Sequence, residues 1–184
     1  MINSICQIAC QAIETEDKFL FSRKANLKRY HHGITFIREE QLVYFIFREM
    51  ISQLESRYEV RINESYPKPH NINRAADLVI FNSQENSDFW IEVRWVDCIR
   101  MANDLLNDAD KLNQYLIGNV TKLLLALWVK EPRLGNTVDN QLARIQNDPR
   151  INAAQKCCFR TSVLDENTQQ YIDVEAGVTL FTVR

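Results

Sequence analysis

Two acidic residues stand inside apolar segments of the chain, where charged side chains are uncommon. Asp77 lies in "RAADLVIFN", and Glu92 lies in "DFWIEVRWV", which also carries Arg94 two residues later. An isolated buried carboxylate is unfavourable, so each acid needs a cation, a proton or an ion-pair partner. The pair therefore predicts a charged site at the core. A structural alternative stays open, in which Glu92 pairs with Arg94 and Asp77 pairs with Arg74.

The face that each acid occupies follows from the alternation of side chains along a strand. Asp77 shares its face with apolar neighbours (Ala75, Val79 and Phe81). Glu92 and Arg94 share theirs with Trp90 and Val96, while the other face of that strand is fully apolar (Phe89, Ile91, Val93 and Trp95). If the two segments are adjacent strands, each carries an acid that points out of a hydrophobic background.

A third acid is expected at the start of a long helix over about residues 35–56. On its apolar stripe, Glu39 falls inside the stripe and Glu40 falls at the edge. Glu39 is therefore predicted to point toward the sheet where the helix begins, although a glutamate there also suits the helix dipole.

The elements that would position these residues follow from apolar periodicity and from turn residues. Helices are predicted over about residues 3–16, 35–56, 101–117 and 139–148. Strands are predicted over 58–66, 74–82, 88–96, 121–129, 156–164 and 176–183. Three consecutive strands favour an antiparallel meander, and the strand–helix–strand that follows favours a crossover. The expected fold is α/β (an α+β mixed sheet packed with helices) with additions at the C-terminus.

Composition narrows the class of protein. The chain has 184 residues, 46% of them hydrophobic and 25% charged, and a net charge of -2, which is typical of one globular domain over 1–184. No apolar run has the length of a membrane helix, and no signal-peptide pattern opens the chain, so the predicted location is cytoplasmic. The five cysteines form no zinc-binding spacing and are expected to be buried, reduced thiols.

Positive charge is concentrated before the long helix. Between Lys18 and Arg38 there are six basic residues and no acid, namely Lys18, Arg23, Lys24, Lys28, Arg29 and Arg38. Such a segment could lie along a phosphate backbone, or it could be an ordinary solvated loop.

The order of these residues resembles the PD-(D/E)XK, or restriction-endonuclease-like, nuclease superfamily. The resemblance covers about residues 35–130: a helix glutamate (Glu39 or Glu40), then Asp77, then "EVR" at 92–94, with 14 residues between the two strand acids. The family core also runs helix, three strands, helix, strand. The helix after the motif often carries Lys, Gln or Tyr at the site, and here it has Lys111, Gln114 and Tyr115.

The resemblance implies that Asp77, Glu92 and the Val93 carbonyl bind Mg²⁺ or Mn²⁺, which polarises a phosphate and acidifies the attacking water. Arg94 stands where the family usually has lysine. With a pKa above about 12, arginine can stabilise charge but cannot act as a base. Activity would then depend on metal hydroxide or on Lys111 reaching in from the helix, or it would be absent.

The favoured hypothesis is therefore an enzyme, a Mg²⁺-dependent nuclease that cleaves DNA. Its catalytic residues would be Asp77, Glu92, Arg94, Glu39 and Lys111, and its DNA contacts would be Arg23, Lys24, Lys28, Arg29, Arg38, Gln114 and Tyr115. Enzymes of this family commonly act as homodimers and in restriction or defence. The alternative is an inactive member of the same fold that binds nucleic acid or protein. An unrelated α/β domain is a third possibility.

Overall fold

The computed structural model describes residues 1–22, 34, 37–67, 75–84, 87–116, 118–165, 168 and 170–184. Its helices are α1 (Ile2–Ser22), α2 (Glu39–Gln53), α3 (Ile99–Tyr115) and α4 (Thr137–Gln146). Its strands are β1 (Tyr58–Ser65), β2 (Ala75–Asn82), β3 (Ser87–Trp95), β4 (Val120–Val129), β5 (Ile151–Asp165) and β6 (Gln170–Val183), and a short 3-10 turn covers Pro132–Leu134.

The six strands form one mixed sheet in the order β1-β2-β3-β4-β6-β5. β1, β2 and β3 form an antiparallel meander, and β3 pairs in parallel with β4 after the chain crosses over through α3. The C-terminal strands pair antiparallel with their neighbours, and β6 lies between β4 and β5. The predicted meander and crossover are confirmed.

Helices cover both faces of the sheet, because alternate residues of the central strands are apolar on each face. On one face, α1 packs against β5 and β6, and α2 packs against β1, β2 and β3, around a core with residues such as Leu78, Ile91 and Leu125. On the other, α3 and α4 pack through residues such as Val79, Trp90 and Leu124. The strand alternation predicted for Asp77 and Glu92 therefore places both acids on the face covered by α3.

Several predicted boundaries were wrong. α1 continues to Ser22, so Lys18 belongs to a helix, where it pairs with Glu14 at 2.7 Å. α2 covers Glu39–Gln53 rather than 35–56. β5 and β6 are 15 and 14 residues long, because each pairs with the other along nearly its whole length. Local sequence at 151–155 gives little strand signal, and pairing across the sheet overrides it.

Two predictions from composition can be compared with the structure. None of the described helices combines the length and apolar character needed to cross a bilayer. All five cysteines are free thiols, but the expected burial holds only for Cys6 and Cys10, on the inner side of α1; Cys98 and Cys157 are half-buried, and Cys158 is exposed on β5.

Candidate functional site

The site is centred on Glu92, whose side chain is 1% exposed on the α3 face of β3. The ammonium of Lys111, from α3, lies 2.6 Å from its Oε1. The Tyr66 hydroxyl, just after β1, donates a hydrogen bond to the same oxygen. Two donors from different elements thus converge on one carboxylate oxygen.

Asp77 lies on the neighbouring strand. Backbone pairing of β2 with β3 runs from Asn82 and Ser87 to Leu78 and Ile91. One residue further along, the Asp77 side chain accepts a hydrogen bond from the Val93 backbone N–H at 2.7 Å through Oδ2. This contact fixes the carboxylate at the end of the ladder, beside Glu92.

Arg94 does not pair with Glu92. Its Nε donates to Asp108 Oδ2 at 2.8 Å, and its Nη1 donates to Glu39 Oε1 at 2.9 Å. The alternative prediction of a Glu92–Arg94 ion pair is therefore wrong: Arg94 pairs with Asp108 and Glu39. The suggested partner of Asp77, Arg74, lies outside the described residues.

Glu39 reaches the end of β3 from the first residue of α2, as its place in the apolar stripe predicted. Besides Arg94, it accepts a hydrogen bond from the Trp95 backbone N–H at 3.1 Å. Glu40 is exposed. Of the two helix acids considered from the sequence, Glu39 is the one that contacts the strand of the site.

Burial dominates the electrostatics of these acids. It raises the pKa of Glu92 from 4.5 to about 8, and the charge of Asp77 adds to the rise, while Lys111 and Tyr66 oppose it. Burial also raises the pKa of Asp77 and of Glu39, although backbone N–H donors oppose the rise in both. The pKa of Arg94 would be lowered by burial, but Asp108 and Glu39 outweigh this and raise it.

The two carboxylates of Asp77 and Glu92 provide the type and the number of protein ligands that a hard divalent cation usually has. Mg²⁺ prefers oxygen ligands and is usually held by one or two carboxylates, with water completing its shell. Burial raises the pKa of both carboxylates, and a bound cation would stabilise their ionised form. No group of three or more His, Cys, Asp or Glu side chains placed to hold a metal occurs among the described residues. Any cation here would therefore depend on the two acids, a carbonyl such as that of Val93, and water.

The predicted nucleic-acid contacts are dispersed. Arg23, Lys24, Lys28 and Arg29 lie outside the described residues. Arg38 is exposed directly before α2, and Gln114 is exposed on α3. Tyr115 is only 7% exposed, and its ring packs 5.4 Å from that of Tyr66. Its contact with nucleic acid stays a prediction, and the structure places the ring in the core.

Two residues of the site were missed from the sequence. Tyr66 was read as the end of a strand and Asp108 as part of a helix. Asp108 carried a usable signal, because it falls among the residues that α3 buries (Ala102, Leu105, Leu106, Ala109 and Leu112) and lies three residues before Lys111. Tyr66 gave no such signal, since its contact with Glu92 spans 26 residues.

Comparison of the chain with protein-family models, with curated proteins and with solved structures finds no match.

Proposed function

We propose that this protein is a metal-dependent nuclease of the PD-(D/E)XK type that hydrolyses DNA phosphodiester bonds. The observation that carries the proposal is the placement of Asp77 and Glu92 side by side on adjacent strands, with the Lys111 ammonium 2.6 Å from Glu92. Two acids and a lysine at one point of a sheet are the groups that metal-assisted phosphodiester hydrolysis uses.

The architecture supports the same proposal. The chain runs α2, β1, β2, β3, α3, β4, with an antiparallel meander and then a parallel crossover pair. This is the element order that the sequence resemblance implies for the family core. Fold alone does not define function, so the proposal depends mainly on the side chains at the adjacent ends of β2 and β3.

Mg²⁺ would be held by the carboxylates of Asp77 and Glu92 with the Val93 carbonyl. When bound, it would polarise the phosphate and lower the pKa of a coordinated water. Lys111 fills the place of the family lysine from a different element. Its ammonium can stabilise negative charge on the phosphate.

Arg94 has a different role in this proposal. Its guanidinium is engaged by Glu39 and Asp108, so it links α2, β3 and α3 around the site. It adds positive potential for a phosphate without touching Glu92. DNA contacts would come from the exposed Arg38 and Gln114 and from the basic segment 23–29.

A second candidate function is an inactive binding module with the same fold. The observation that favours it is that the Glu92 carboxylate and the Arg94 guanidinium already have partners within the protein. Glu92 accepts a hydrogen bond from Tyr66 and pairs with Lys111, and Arg94 donates to Glu39 and Asp108. In that case the ionic network would stabilise the domain, and a nucleic-acid or protein partner would bind elsewhere on its surface.

Cleavage of supercoiled plasmid and of linear duplex in Mg²⁺ and in Mn²⁺ tests the proposal. We expect Asp77→Asn and Glu92→Gln to abolish cleavage, and Lys111→Met to lower its rate by about 10²-fold or more, as for loss of a transition-state donor. Glu40→Gln is the matched control, because Glu40 is an exposed acid next to Glu39. Cleavage should be unchanged in that variant.

The proposal fails if wild-type protein cleaves neither substrate with either ion, or if Asp77→Asn cleaves as fast as wild type. Wild-type protein that binds DNA without cleaving it, in a manner unaffected by Glu92→Gln, would favour the binding module.

A further inference from the structure

Asp108 lies between the two cations of the site and contacts both. Its Oδ2 accepts the hydrogen bond from Arg94 Nε at 2.8 Å, and its Oδ1 lies 3.5 Å from Lys111 Nζ. The residue is 6% exposed, on the buried face of α3. Each carboxylate oxygen of Asp108 thus serves a different cation, and Asp108 is the residue through which the two are connected.

Without Asp108, Arg94 would have another strong acceptor within reach. Glu92 and Arg94 lie on the same face of β3, two residues and therefore about 6.7 Å apart along the strand. An arginine side chain can span that distance, and guanidinium–carboxylate pairs are among the stronger hydrogen-bonded pairs. In the structure, Nε of Arg94 is turned instead to Asp108, and Nη1 is turned to Glu39.

We infer that Asp108 is a positioning residue, which holds the Arg94 guanidinium away from Glu92 and so leaves Lys111 as the cation on that carboxylate. The consequence for catalysis rests on the proposed function, because an arginine paired with Glu92 would compete with metal for its oxygens. The geometric claim concerns only side chains of this chain, and it can be tested without metal or DNA.

The first test is a double-mutant cycle on stability, measured by urea unfolding in EDTA at a pH above the pKa of Glu92. Arg94→Gln, Glu92→Gln and the double variant are compared in the wild-type background and again with Asp108→Asn. With Asp108 present, the change in the unfolding constant of the double variant should stay within about twofold of the product of the two single changes, because Arg94 and Glu92 are then linked indirectly, through Asp108 and Lys111. In the Asp108→Asn background, the change for the double variant should differ from that product by about tenfold, because Arg94 then pairs with Glu92.

The inference is overturned if the double variant departs from the product of the single changes by the same factor in both backgrounds. A departure of about tenfold already present in the wild-type background would also overturn it. If Asp108→Asn does not fold, Asp108→Asn/Arg94→Gln is measured in its place. Recovery of folding in that variant would show that the released guanidinium caused the damage, and no recovery would overturn the inference.

The second test measures Mn²⁺ affinity by the electron paramagnetic resonance signal of the free ion. Asp108→Asn should weaken binding by about 10-fold, as is usual when a residue that orients a metal ligand is lost. Adding Arg94→Gln should restore it, whereas a merely structural role would leave the double variant no better. If wild-type protein neither binds Mn²⁺ nor cleaves DNA, the proposed function fails, and the stability cycle still decides the role of Asp108.

Discussion

Replacing Glu92 with glutamine should change how the stability of the metal-free protein depends on pH. Glu92 is buried on β3 next to Asp77, and its pKa is raised from 4.5 to about 8 in the folded protein. In the unfolded chain the carboxyl recovers its ordinary pKa. Between these two values, the folded protein keeps a proton that the unfolded chain loses, so the free energy of unfolding falls as pH rises.

The size of the effect follows from the same two values. At about 1.4 kcal/mol for each pH unit, a pKa raised from 4.5 to about 8 corresponds to a loss on the order of 5 kcal/mol. The stabilisation is fully present below pH 4.5 and is lost as pH rises to about 8. The raised pKa values of Asp77 and Glu39 act in the same direction. Glutamine removes the Glu92 part, because its amide does not ionise.

Urea unfolding in EDTA, followed by circular dichroism at a series of pH values across this interval, measures the slope. We expect wild type to lose stability toward pH 8 and Glu92→Gln to be markedly flatter. Glu40→Gln, the exposed neighbour of Glu39, should follow wild type. Equal slopes for Glu92→Gln and wild type would refute the reasoning, because the carboxyl would then have the same pKa in the folded and unfolded states.

Three further predictions concern other parts of the molecule. Gly177→Ala should destabilise the protein by about 1 to 3 kcal/mol in urea unfolding, because the new Cβ would meet the β5 backbone and come within 2.9 Å of the Trp128 ring. As a control, the exposed substitution Gln146→Ala on α4 should have little effect. Tyr66→Phe should lower stability by about 1 to 3 kcal/mol by removing the donor to Glu92, and an unchanged melting temperature would contradict that contact. Cys158 should react first with a thiol reagent in the native protein, while the two buried thiols of α1 react only on unfolding; rapid modification of all five would contradict the packing of α1 on the sheet.

The parts of the site that sequence could predict are those fixed by local geometry. Alternation along a strand places Asp77 and Glu92 on one face, and the helical period turns Glu39 inward. Which cation would contact Glu92 could not be predicted, because it depends on how α3 packs across β3. Arg94 is nearest in sequence, yet Lys111, nineteen positions after Glu92, makes the contact. Strand prediction has the same limit. Local sequence patterns predict β1 to β4, but the lengths of β5 and β6 depend on their pairing with each other.

The position of β6 inside the sheet has a consequence for synthesis of the chain. β4 is complete at Val129, but its second neighbour begins only at Gln170, and β5 has no partner in the sheet except β6. At the usual speed of translation, the apolar edge of β4 waits roughly a few seconds for that partner. A nascent chain halted between β5 and β6 would present this edge to other chains, so the ribosome-bound protein is where aggregation or chaperone capture should be concentrated.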